Sequence, residues 1–84
     1  MFIIVNMMGI FQDYFFEPLL LDIHDGVDLI YLKKILILKF YEKNIYNFDD
    51  IIKNSIFSND IKILPDDYIF SHNEIIYLLP PFSR

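Results

Sequence analysis

The sequence predicts an α+β domain: a mixed sheet of four to five strands with one main helix packed on one face. Three observations lead there. Apolar runs stand near both ends, at Phe2–Met8 and Ile75–Leu79. One segment between them, Val27 to about Glu42, sets Leu29, Leu32, Leu36 and Phe40 at i, i+3, i+7 and i+11, the stripe of a helix lying on a core. The element order is strand, strand, helix, short strand, turn-rich link, strand. A hairpin followed by a helix that crosses back to a parallel strand satisfies the usual connection rules.

Each element has its own justification. Phe2 to Met8 is a first strand, stopped by Gly9. Ile10 to Phe15 fits a short helical turn or a loop equally well. Glu17 to Ile23, centred on Leu19-Leu20-Leu21, is a second strand, and Pro18 near its start suits an edge. His24-Asp25-Gly26 is a turn, after which Asp25 or Asp28 can cap the helix. Lys33 and Lys34 interrupt the apolar surface on the flank, and Tyr31 and Leu38 lie opposite the stripe. Lys43-Asn44 ends the helix. Asn47 to Lys53 makes a second short turn, with Asp49 and Asp50 placed to favour its dipole. Ser55 to Ser58 is a short strand that Asp60 to Leu64 continues after a turn. Pro65-Asp66-Asp67 and Ser71-His72-Asn73 are turns by composition. Ile75 to Leu79 is the last strand, stopped by Pro80-Pro81, since each proline removes a ladder donor and fixes φ.

The 84 residues make one domain, 1–84, with 80–84 as a C-terminal tail. A composition 55% hydrophobic and 18% aromatic excludes a disordered chain. The net charge of −5 argues against a nucleic-acid partner, which asks for a basic face. The absence of cysteine excludes disulfides, thiolate metal sites and a cysteine nucleophile. Met1-Phe-Ile-Ile-Val has no basic n-region, and no apolar run reaches the roughly 18 residues of a membrane span. The expectation is a soluble, cytoplasmic protein without a membrane partner.

One helix covers only one sheet face, yet the strands at 2–8, 18–23 and 75–79 are apolar on both alternating sets of positions. A monomer avoids so large an exposed patch, so the pattern predicts a subunit. No autonomous active site is legible. His24 and His72 stand in turns, Asp49-Asp50 and Asp66-Asp67 are solvated turn or helix-start acids, and no serine sits in a nucleophile elbow. No bound cofactor and no metal site is expected.

The last quarter carries a more specific signal. Ile56-Phe57-Ser58-Asn59, the turn Ser71-His72-Asn73-Glu74, the strand Ile75–Leu79 and Pro80-Pro81 together resemble the small subunit of molybdopterin synthase, a ubiquitin-like sulfur carrier of the β-grasp superfamily. Phe2–Gly9 and Asp28-Leu29-Ile30-Tyr31-Leu32 are similar to its first strand and helix start. The resemblance implies a β-grasp fold and a carrier role in molybdenum cofactor biosynthesis. It implies two partners, the synthase large subunit and an adenylating activating enzyme that uses ATP. In that family the tail's carboxylate is adenylated, converted to a thiocarboxylate and threaded into the large subunit. Here the carboxylate-bearing residue would be Arg84, and Tyr77, Pro80, Pro81, Phe82 and Ser83 would contact the partner.

Two positions depart from the family pattern. His72 stands where a glycine is usual in the turn, a position where left-handed backbone would be tolerated by histidine. After Pro-Pro and two variable residues the family has Gly-Gly; here the chain reads Phe82-Ser83-Arg84. Glycine accepts any backbone conformation and passes a narrow channel, whereas arginine adds a long hydrated cation beside the reacting group. The expected function is therefore that of a sulfur-carrier-like small subunit with a degenerate C-terminus, at most a carrier subunit of a sulfurtransferase. The alternative is a non-catalytic interaction or regulatory protein that retains the docking surface, or a homodimer.

Overall fold

The computed structural model describes residues 1–82. Its elements are β1 (Phe2–Met7), a 3-10 helix (Gly9–Asp13), β2 (Leu19–Asp22), α1 (Leu29–Glu42), α2 (Asp49–Lys53), β3 (Ile56–Ser58) and β4 (Glu74–Leu79). The four strands form one sheet in the order β2-β1-β4-β3. β1 pairs antiparallel with β2 and parallel with β4, and β4 pairs antiparallel with β3. This is the mixed sheet under one main helix that the sequence predicts, an arrangement of β-grasp type.

Alternation decides which strand residues enter the core. Ile3, Val5 and Met7 of β1, Leu21 of β2, Phe57 of β3, and Ile76 and Leu78 of β4 are buried. They meet Leu29, Leu32, Leu36 and Phe40 of α1, all four of them at most 1% exposed, so the helical stripe read from the sequence is the packed face. Tyr31 and Leu38, opposite it, are exposed.

The boundaries of α1 follow from its caps. Asp28 stands at the N-cap and its carboxylate accepts the Tyr31 amide at 2.9 Å. At the other end Asn44 has φ 61°, and the Asn44 and Ile45 amides donate to the Tyr41 and Phe40 carbonyls, both at 2.9 Å. That pair of bonds is a Schellman closure, with asparagine taking the left-handed position usually given to glycine.

The segment 10–15, ambiguous in sequence, winds as a 3-10 helix and turn that bury Phe11 and Phe15. Their rings join Phe40 and Phe48 in an aromatic cluster with centroid separations of 4.8 to 6.0 Å. Residues 60–64 do not extend β3. A single bridge, Ser58 to Ile63, forms there, because the Asn59 side chain turns the backbone by accepting the Ile61 and Lys62 amides, both at 2.9 Å. Nor does His72 take a left-handed conformation: among the described residues, Asn44 is the non-glycine residue at positive φ.

Lys33 departs from the reading of a flank lysine. It is 9% exposed, and its ammonium donates to the Lys53 carbonyl at 2.8 Å and the Asp66 carboxylate at 3.0 Å while lying 5.6 Å from the Phe57 ring centre. It ties α1 to the end of α2 and to the 65–68 turn.

Candidate interaction surface

The second face of the sheet is uncovered. Phe2 and Ile4 of β1, Leu20 of β2, Ile56 of β3, and Ile75, Tyr77 and Leu79 of β4 all point away from α1. The register stacks them into rows: Leu20, Ile4 and Ile75 lie side by side across three strands, as do Asn6, Tyr77 and Ser58. Leu20 is 57% and Ile75 50% exposed. Ile61 and Ile63 add exposed apolar surface at the β3 edge. The last strand, although a continuous apolar run, is covered on one face in the single chain.

Hydrogen bonds fix the margins of this face. Asn73 accepts the Phe2 amide at 2.8 Å, aligning the starts of the two parallel central strands. The Tyr77 hydroxyl donates to Asp60 at 3.1 Å, and that bond, with the aspartate charge, raises the phenol's pKa. On the core side of β4, the Tyr68 hydroxyl donates to Glu74 at 2.6 Å. Burial first, then that bond and the carboxylate charge, push the Tyr68 pKa from 10.0 to about 12. His72 Nε2 lies 3.8 Å from Glu74.

The tail leaves the sheet from its centre. β4 lies between β1 and β3, and the Met8 amide donates to the Leu78 carbonyl at 3.0 Å, extending the pairing to the edge of the prolines. Gly9 sits there at φ 59° with Pro80 against it: a Cβ on Gly9 would stand 2.9 Å from Pro80 Cγ and 3.0 Å from Cδ. Pro80 is half-buried, Pro81 exposed and Phe82 43% exposed. Of the predicted contact residues, Tyr77, Pro80, Pro81 and Phe82 thus run along one strand and its exit, Tyr77 on the open face and the other three beyond the sheet. Ser83 and Arg84 lie outside the described residues.

Sequence reading missed Gly9 as the residue that seats Pro80, and Phe16, which is 95% exposed in the loop leading to β2. Neither had a sequence signal beyond composition. Among the described residues no group of three histidine, aspartate or glutamate side chains could hold a metal ion. No described helix is long and apolar enough to cross a membrane.

Fold and surface together define a small β-grasp-type domain with one open apolar sheet face and a proline-guided exit from its central strand. No family model matches the chain, and no curated protein matches it.

Proposed function

We propose that this chain is a sulfur-carrier-like small subunit of molybdopterin synthase, acting in molybdenum cofactor biosynthesis. The observation that carries the reading is the Glu74–Pro81 block: a central strand that runs into Pro80-Pro81 beside an open apolar face. A carrier needs that combination, a flat surface for docking and a narrow extension that reaches past it into another protein's active site. Gly9 supports the same reading, because its missing side chain is what lets Pro80 lie close to the sheet end. In this role the large subunit receives the tail, and the activating enzyme adenylates the tail carboxylate with ATP before sulfur replaces oxygen. The site residues are Tyr77, Pro80, Pro81, Phe82 and Ser83 toward the partner, and Arg84 next to the chemistry.

Arg84 also favours a second reading. It stands at the position of the family's first tail glycine, and its side chain would crowd a channel shaped for glycine. A β-grasp protein that keeps the docking face and has lost the transfer step, or that pairs with itself, accounts for it.

Intact-mass spectrometry after incubation with the activating enzyme of the same genome, ATP and a sulfur donor separates the two. Exchange of one carboxylate oxygen for sulfur supports the carrier. An unchanged mass, beside a Gly-Gly-ended carrier converted in the same reaction, refutes it and leaves the binding module.

A further inference from the structure

We propose that Phe16 is a second anchor for the protein that takes the tail, inserting into an apolar pocket edged by arginine or lysine on that partner. The inference rests on the docking role proposed above and adds the loop between β1 and β2 to the interface.

Position comes first. β1 and β4 are parallel, with Met7 beside Leu78, so the loop after β1 and the tail after β4 emerge at the same end of the sheet. Phe16 lines one depression with Asn6, Met8, Gln12, Pro18 and Tyr77, so it adjoins the open face at the residue already placed in the interface.

Exposure and rigidity come next. A phenylalanine 95% exposed contributes almost nothing to its own fold. Phe16 is nevertheless held at both sides. Phe15 is 6% exposed within the aromatic cluster, where Lys43 lies 5.4 Å from its ring centre, and Pro18 restricts the backbone just before β2. An aromatic ring presented on a fixed backbone loses little entropy when it is buried by a partner, and aromatic anchors dominate interface energetics.

Charge selects the occupant. Asp13 and Glu17 flank Phe16, Asp22 and Asp60 border the open face, and none of the outward positions of the four strands is a lysine or arginine. Lys33, Lys34, Lys39 and Lys53 belong to α1 and α2 on the opposite layer, and Lys62 lies 5.3 Å from the Tyr68 ring centre; Lys43 comes near Phe16, over the Phe15 ring, where the two acids Asp13 and Glu17 outweigh it. A second copy docking face to face would set acid against acid. A basic-rimmed partner meets opposite charge.

The test is titration of the purified chain against the synthase large subunit and the activating enzyme of the same genome, by calorimetry and stopped-flow. Phe16→Ser is expected to weaken binding to the large subunit, which takes the tail, by roughly 30-fold, the loss of a hot-spot residue, with unchanged thermal unfolding. Phe16→Leu is expected to recover most of the affinity. Asp13→Lys with Glu17→Lys should slow association and flatten its salt dependence. Wild type binding with Phe16→Ser equally tight overturns the anchor and leaves the docking role intact. Wild type binding neither protein overturns both. Concentration-dependent dimerisation that Phe16→Ser abolishes, without binding to either protein, overturns the basic-rimmed partner in favour of a second copy.

Discussion

Replacing Gly9 with alanine tests how the tail is seated. Two costs add. At φ 59° an L-residue pays about 1–2 kcal/mol for left-handed backbone. The new Cβ would also stand 2.9 and 3.0 Å from two atoms of the Pro80 ring, which cannot rotate away. Either the ring moves by a few tenths of an ångström or the overlap remains, at a further ~1 kcal/mol or more by the measure of overpacked cores. Gly26 is the control: its φ is 90°, and nothing lies within 4 Å of an added Cβ, so Gly26→Ala pays the backbone cost alone. In a domain of this size each kcal/mol shifts the midpoint by roughly 4–8 °C. Gly9→Ala should therefore lower Tm by roughly 8–24 °C or more, and Gly26→Ala by about half to two-thirds as much, in parallel thermal melts followed by circular dichroism. Amide chemical-shift changes in Gly9→Ala should centre on Met8, Leu79 and Phe82. Equal Tm losses in the two variants, with the resonances around Pro80 undisturbed, would refute the claim that Gly9 makes room for the tail.

Further outcomes follow from Lys33, its partner Asp66 and Tyr68. Lys33→Ala strips both the packed stem and the donor to the Lys53 carbonyl and should cost about 2–3 kcal/mol in urea denaturation. Asp66→Asn, at a side chain 65% exposed, should cost under ~1 kcal/mol, and comparable losses in the two variants would show that the ion pair rather than the buried stem and carbonyl bond holds the turn. Tyr68 keeps its proton to about 12 in the folded chain against 10.0 for a free tyrosine, so between those values the folded state binds more protons than the unfolded one. Its contribution to stability is complete below pH 10 and is lost as pH rises toward 12. Tyr68→Phe should flatten the alkaline fall in unfolding free energy across that window, and an unaltered slope would contradict the assignment.

The parts of this fold legible in the sequence are those governed by short-range periodicity. Leu29, Leu32, Leu36 and Phe40 announce a helix face because their spacing alone places them on one side, and Asp28 sits where an N-cap belongs. The doubled apolar pattern of the strands likewise announces an open second face. What escaped depends on contacts far apart in the chain. Phe11 and Phe15 gain meaning only when Phe40 and Phe48 arrive from residues 25 or more positions away. Lys33 adjoins the helical stripe, but nothing local says that the Lys53 carbonyl and Asp66 will come to meet it. The candidate surface divides in the same way. Pro80 and Pro81 are readable as a strand stop, while the role of Gly9 depends on a strand some seventy residues later, and the prominence of Phe16 is a matter of what fails to cover it.

The placement of β4 between β1 and β3 has a kinetic consequence. Ile3 pairs with Glu74 and Met7 with Leu78, contacts that close a loop of about seventy residues. The β1–β2 hairpin and α1 can form early, from neighbours in sequence. Until β4 slots in, one long edge of β1 and one of β3 stay unpaired, an invitation to intermolecular strand addition. The strand that closes that gap is also the one that launches Pro80 and Phe82. The extension is thus aimed only when the last gap in the sheet is filled, so a partner of the kind proposed above would engage finished molecules rather than folding intermediates.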